Sequence, residues 1–303
     1  MKRTPTTEQR NPRTRGIDLR STPEILRLLN REDATVARAV ASAVPQIARA
    51  VDTIMHALRH GGRLIYVGAG TSGRLAALDA AECPPTFGVP RGTVVALIAG
   101  GRRALTEAVE GAEDDTAAGA RDLRGVRCSP HDVVVGITAS GRTPYVLGAL
   151  EYARRVGART VAVACNRATP VAHLAEISIV AETGPEAIAG STRLKAGTAQ
   201  KLILNMLSTA AMIRLGRVYD NWMAGVSPSN RKLRARAVGI LVEATGAKAA
   251  EAGRALKAAG DIRLALIMLT RKLPQRDAVF ALKAAGNDLR TALGEGRGAR
   301  RTR

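Results

Sequence analysis

Apolar positions recur at helical spacing along the first sixty residues. Thr22-Pro23 reads as N-cap and first helical position, and Ile25, Leu26, Leu28 and Leu29 follow it. Val36, Val40 and Val44 line a second helix, with Asp33 expected as its cap. Ile47, Val51, Ile54, Met55 and Leu58 carry a third helix, which begins or kinks at Pro45 and stops at Gly61-Gly62. From Arg63 the pattern changes. Short apolar runs at 64–67, 94–98, 133–137, 160–164 and 177–180 alternate with helical patterns at 73–80, 104–115, 144–156 and 195–215. Apolar strands separated by helices predict a parallel sheet covered on both faces, an α/β fold. Past Asn230 every pattern is helical, with stripes at Leu233, Ala237, Ile240, Leu241 and at Ile262, Ala265, Leu266, Leu269. There the run Ala-Leu-Lys-Ala-Ala-Gly at 255–260 returns at 281–286, which predicts two similar helix-and-turn units. The chain thus divides into an irregular arm (1–20), helices (21–60), an α/β domain (61–218), a helical domain (228–293) and a tail (294–303).

Ligands on parallel sheets bind at the carboxyl ends of the strands, so the loops there carry the chemistry. They are expected at 68–73, 99–102, 138–143 and 190–197. The first, Gly68-Ala69-Gly70-Thr71-Ser72-Gly73-Arg74, fits G-x-G-x-x-G and feeds a helix whose N–H groups favour an anion. Its hydroxyls are echoed in Ser140-Gly141-Arg142-Thr143 and in Ser191-Thr192-Arg193-Leu194-Lys195. Any one such loop is an ordinary helix cap; three on one sheet edge, with a lysine, suit the several oxygens of a phosphate. A nicotinamide dinucleotide needs an acidic residue closing the second strand to hold ribose. That strand runs into Ala99-Gly100-Gly101-Arg102 instead, and no P-loop pattern occurs. The expected ligand is therefore a phosphosugar.

Two carboxylates stand out. Glu82 precedes Cys83-Pro84-Pro85, whose prolines stiffen the backbone around it, and Glu113 lies in an acidic island at 107–115. From spacing alone, Glu82 reads as a local cap and Glu113 as part of a solvated helix face. Cys83 lacks a histidine partner in sequence and reads as a small core residue. His56, His60, His131 and His173 form no ligand motif, so no metal is expected.

Composition narrows the class. Aromatics make up 2% of 303 residues, so the cores rest on Ala, Val, Leu and Ile. Three cysteines without C-x-x-C argue against a disulfide framework and fit a reducing cytoplasm. No apolar run approaches the ~20 residues of a membrane span, and the first residues lack a signal-peptide core. The net charge of +20 is concentrated in Arg10, Arg13, Arg15 and Arg20 and in Arg297, Arg300, Arg301 and Arg303. With no helix-turn-helix or aromatic-studded basic face beside it, this charge reads as solvated tails rather than a nucleic-acid surface.

The long motifs go further. Residues 68–74 with Leu78-Asp79-Ala80-Ala81-Glu82-Cys83-Pro84-Pro85-Thr86-Phe87-Gly88 resemble the N-acetylmuramic acid 6-phosphate etherases. So do Ala108-Val109-Glu110-Gly111-Ala112-Glu113-Asp114, Ala139-Ser140-Gly141-Arg142-Thr143-Pro144-Tyr145, Lys195-Ala196-Gly197-Thr198-Ala199-Gln200-Lys201 and the early Thr7-Glu8-Gln9-Arg10-Asn11-Pro12. Leu194, Asp220 and Trp222 depart from the usual pattern at positions of packing. The resemblance implies a sugar isomerase (SIS) fold, a flavodoxin-like three-layer sandwich with a small UBA-like helical domain, and a homodimer. It also implies a carbon–oxygen lyase acting without a cofactor in amino-sugar recycling. It assigns Glu82 as acid and Glu113 as base, with Thr71, Ser72, Gly73, Ser140, Gly141, Thr143, Ser191, Thr192 and Lys195 around the phosphosugar. A non-catalytic phosphosugar-binding regulator on the same fold is the alternative.

Overall fold

Five short strands, β1 (Leu64–Gly68), β2 (Val94–Ile98), β3 (Val133–Thr138), β4 (Arg159–Ala164) and β5 (Ile177–Val180), lie where the apolar runs predict them. In the computed structural model they form one parallel sheet of order β2-β1-β3-β4-β5. Residues 4–226 and 231–295 are described; Asn230 and the arginines from Arg297 onward lie outside them. In chain order the helices are α1 (Thr22–Asp33), α2 (Val36–Ala41), α3 (Val44–Arg59), α4 (Gly70–Phe87), α5 (Thr116–Gly125), α6 (Pro144–Arg155), α7 (Pro170–Leu174), α8 (Lys195–Arg214), α9 (Arg231–Thr245), α10 (Ala249–Ala259), α11 (Ile262–Arg271), α12 (Gln275–Ala284) and α13 (Leu289–Ala292). Among the described residues no helix is long and apolar enough to cross a membrane.

The chain separates into two compact units. The first runs to Ala81 and from Gly92 to Thr209; the second joins Glu82–Arg91 to the chain from Ala210 onward. In the first, α3 packs on β1, β3 and β5, while α5, α6 and α7 cover the opposite face. All side chains of β1 and β3 are buried, as expected of a sheet with two covered faces. On the α6 side, Ile65, Val67, Val134 and Ala162 meet Tyr145, Val146, Ala149 and Leu150. Helices α5 and α6 touch backbone to backbone. A Cβ on Gly148 would stand 1.9 Å from the Thr116 carbonyl oxygen, and one on Gly119 would stand 2.0 Å from that of Tyr145. Gly148→Ala must push the helices apart; it should lower the urea-unfolding free energy by ~1–3 kcal/mol, read as a lower midpoint at unchanged m-value.

Several boundaries differ from the sequence reading. The helix expected at 104–115 is absent. Two 3₁₀ turns, Gly101–Leu105 and Ala112–Asp114, flank an irregular stretch, and the α-helix is α5, opened by Asp115, whose carboxylate accepts from the Ala118 N–H at 2.9 Å. Gly111 at φ +70° breaks any continuous helix there. Ser21 rather than Thr22 precedes α1, its N–H and hydroxyl both donating to Glu24. Asp33 ends α1 instead of capping α2, whose N-cap is Thr35. The helix expected at 73–80 starts at Gly70 and runs through Pro84 and Pro85 to Phe87.

In the second unit, α4 ends at Gly88, held at φ +61°, where a Cβ would stand 1.8 Å from the Gly225 oxygen. The helices α9 to α13 bury Ala237, Leu241, Ile262, Ala265, Leu266, Ala278 and Leu289. The repeated run is structural. Gly260 and Gly286 end α10 and α12 in left-handed backbone, and Asp261 and Asp288 then cap α11 and α13.

Candidate active site

In a sheet of this order the strand direction of travel reverses at β1, so a crevice opens between the carboxyl ends of β1 and β3. Gly68 and Ile137 are register partners, and the loops carrying Thr71-Ser72-Gly73 and Ser140-Gly141-Thr143 leave those strands side by side. The first turn is tight. A Cβ on Gly68 would stand 2.8 Å from the Gly73 nitrogen, and one on Gly73 would stand 2.5 Å from Ile98 Cγ1. Only hydrogen fits at either position, which lets α4 begin at once with its first N–H groups at the crevice.

The second loop is a hydroxyl cluster. Thr138 Oγ1 lies 2.8 Å from Thr143 Oγ1 and 3.3 Å from Ser140 Oγ, and it accepts the Gly141 N–H at 3.2 Å. Ser140 Oγ also accepts the Arg142 N–H. The third loop joins the first. Ser72, buried, donates to Gln200 Oε1 of α8 at 2.9 Å, and a Cβ on Gly197 would come within 3.3 Å of Thr71 Cγ2. Ser191 and Thr192 are half-buried on the turn leading into α8. The turn after β1 thus packs against the start of α8, and the Ser140 loop leaves the neighbouring strand β3.

Lys195 is placed differently from a solvent-facing phosphate ligand. Its ammonium donates to Glu32 Oε2 at 2.7 Å with both side chains buried. Glu32 also accepts from Arg13 and Asn11, and these donors, Arg13 foremost, pull its carboxyl down to about 2 against the opposing effect of burial. The first N–H groups of α8 are occupied as well. Lys195 and Ala196 each donate to the buried carboxylate of Glu186 at 2.9 Å. Burial pushes Glu186 up even though two N–H donors favour its charged form.

Glu113 sits exposed on the 3₁₀ turn Ala112–Asp114, in the chain that folds back after β2. Arg74 holds that chain through the carbonyls of Leu105 and Glu107. Glu82 is exposed on α4, within the second unit. Among the described residues no cluster of three His, Cys, Asp or Glu side chains is arranged to hold a metal ion. Cys83, Cys128 and Cys165 are buried and in no disulfide. Sequence reasoning gave no role to Glu32, Asn166 or Gln200, whose partners lie far off in the chain, nor to Thr138 and Glu186, whose partners are near but show only in the fold; the motifs 7–12 and 195–201 were the traces of that network.

Residues 46–154 match the family of the glucokinase regulatory protein N-terminal SIS domain, and residues 117–210 match the SIS domain family. A chain of Escherichia coli CFT073, described in complex with A5P, shares the fold with a TM-score of 0.50 at 15% identity, covering 67% of this chain and 97% of that one. The N-acetylmuramic acid 6-phosphate etherase of Brucella anthropi is 55% identical over 94% of this chain and 94% of its own length. That of Geobacillus thermodenitrificans is 51% identical over 95% and 98%. With such identity spanning nearly all of its length, the chain belongs to the N-acetylmuramic acid 6-phosphate etherase family.

Proposed function

We propose that the protein cleaves the D-lactyl ether of N-acetylmuramic acid 6-phosphate, yielding N-acetylglucosamine 6-phosphate and D-lactate. The observation that supports this reading is the placement of the Thr71 and Ser140 turns at the carboxyl ends of the neighbouring strands β1 and β3, in a chain 55% identical to a named etherase. In the open-chain sugar the ether oxygen on C3 lies β to the C1 aldehyde, which acidifies the C2 proton. Glu113 takes that proton and the C2 electron pair moves in to form a C2=C3 double bond. The C3–O bond breaks, and Glu82 gives its proton to the departing lactate oxygen. Water then adds across the double bond, hydroxyl to C3 and proton to C2, so the sum is one ether and one water converted into two alcohols. A base and an acid acting on one substrate are served best by carboxyl groups held in opposite protonation states. The phosphate, remote from C2 and C3, supplies binding energy that fixes their geometry, through the hydroxyls and N–H groups of Thr71, Ser72, Gly73, Ser140, Gly141, Thr143, Ser191 and Thr192. Lys195 backs this wall through Glu32.

The setting we infer is a cytoplasmic homodimer recycling peptidoglycan amino sugar, in keeping with the family and with thiols buried and unlinked. Incubating the protein with N-acetylmuramic acid 6-phosphate should release D-lactate in stoichiometric step with N-acetylglucosamine 6-phosphate. Binding of the phosphosugar without lactate release would instead favour a regulator, the reading to which the glucokinase regulatory protein match at residues 46–154 points.

A further inference from the structure

The N-terminal arm behaves unlike a solvated tail. It forms only short 3₁₀ turns, yet Thr7, Asn11 and Thr14 are each 5% exposed or less. Ordering an irregular segment costs conformational entropy, and these three side chains offset it with hydrogen bonds rather than apolar area. The bonds go to Asn166, to Glu32 and to the 185–187 segment. Asn166, directly beyond the Cys165 that follows β4, accepts at Oδ1 from both the N–H and the hydroxyl of Thr6, 2.8 Å each. Its Nδ2 donates to Thr7 Oγ1 and to the Ala139 carbonyl, 3.0 Å each, the latter the residue before Ser140. Asn11 donates to Glu32 and to the Pro185 carbonyl, and Thr14 donates to the Ala187 carbonyl at 2.8 Å. The arm therefore ties the Ser140 loop and the segment leading to Ser191 and Lys195 to each other through buried polar groups.

We propose that residues 6–14 are a strap that sets the geometry of the phosphosugar site, with Thr7, Asn11 and Thr14 as positioning residues that touch no substrate themselves. This rests on the reading of the crevice as the phosphosugar site. Without the strap, Ala139 loses its link to the arm through Asn166, and the 185–187 segment loses its two side-chain anchors. A fractional misplacement of the hydroxyls is enough to degrade alignment at the reacting carbons.

The test compares the full-length protein with a Thr6→Val/Thr7→Val double variant, a Thr7→Ser control and a Thr14→Val variant. Amide hydrogen exchange is followed at 139–143 and at 185–195, beside steady-state lactate release and thermal unfolding. The double valine variant should speed exchange at 139–143 by ~10-fold or more and leave the β1 and β3 amides slow. It should lower kcat by ~10- to 100-fold, while Thr7→Ser, which keeps the hydroxyl, stays near wild type in both. Thr14→Val should loosen 185–195 alone, and its exchange decides the matter if the double variant does not fold. Unchanged loop exchange in the folded variants, or lost activity with unchanged exchange, overturns the strap. Absence of lactate release from the wild type would instead refute the etherase reading, with the exchange data still judging the strap by themselves.

Discussion

Glu113→Gln should reduce D-lactate release by ~10²–10⁴-fold, the usual contribution of a positioned general base, and Glu82→Gln should cost a similar factor. Glutamine keeps the size and hydrogen-bonding reach of glutamate but can neither take nor surrender a proton at neutral pH. The two losses are distinguishable. If Glu113 is the base, its Gln variant stops exchange of the C2 hydrogen with deuterated solvent as well as lactate release. If Glu82 is the acid, its Gln variant still exchanges C2 hydrogen while the C3–O bond stays intact. The reverse pattern would swap the roles. Losses below tenfold in both, with binding retained, would remove the pair from the mechanism. Both side chains are exposed in the single chain.

Glu32→Ala should have the largest effect on stability, about 3–5 kcal/mol, the range found when one partner of a buried ion pair is removed. It strands the Lys195 ammonium, 1% exposed, and takes an acceptor from Arg13 and Asn11 at once. Glu32→Gln should be milder because it keeps shape and an oxygen acceptor. The pH dependence has a definite sign. The Arg13 guanidinium, followed by Lys195 and Asn11, holds the Glu32 carboxyl at about 2, below its ordinary value of ~4.3. A depressed carboxyl stabilises the fold fully above the unfolded value and loses that contribution as pH falls through the folded one. The gap in urea-unfolding free energy between wild type and Glu32→Gln should thus be constant near neutrality and close between about pH 5 and about pH 2. The raised carboxyls of Glu186 and Asp79 are common to both proteins and cancel in the difference. A gap independent of pH would mean that the pair contributes through packing alone.

Much of the scaffold was legible in the chain because it rests on local chemistry. Apolar runs of four or five residues can be satisfied in only a few ways when helical patterns intervene, and all five became strands within a residue of their expected ends. The helix misplaced at 104–115 shows the limit. Its acidic, alanine-rich composition suits a helix, but Gly111 takes a left-handed conformation and Asp115 is a better cap for the helix that follows. The prolines at 84 and 85 show the same limit from the other side, since α4 continues through residues that locally argue for a stop.

The strand–helix alternation, the hydroxyl-bearing turns at the strand ends and the repeated Gly-to-Asp helix joints belong to the local sequence, for each is written within a dozen neighbouring residues. Folding alone dictates that Lys195 faces Glu32 and that the arm is bound through Asn166. The cause is separation along the chain. A buried charge or amide must find its partner wherever the fold brings one, here up to 163 residues away, and no local pattern of polar and apolar positions records that choice.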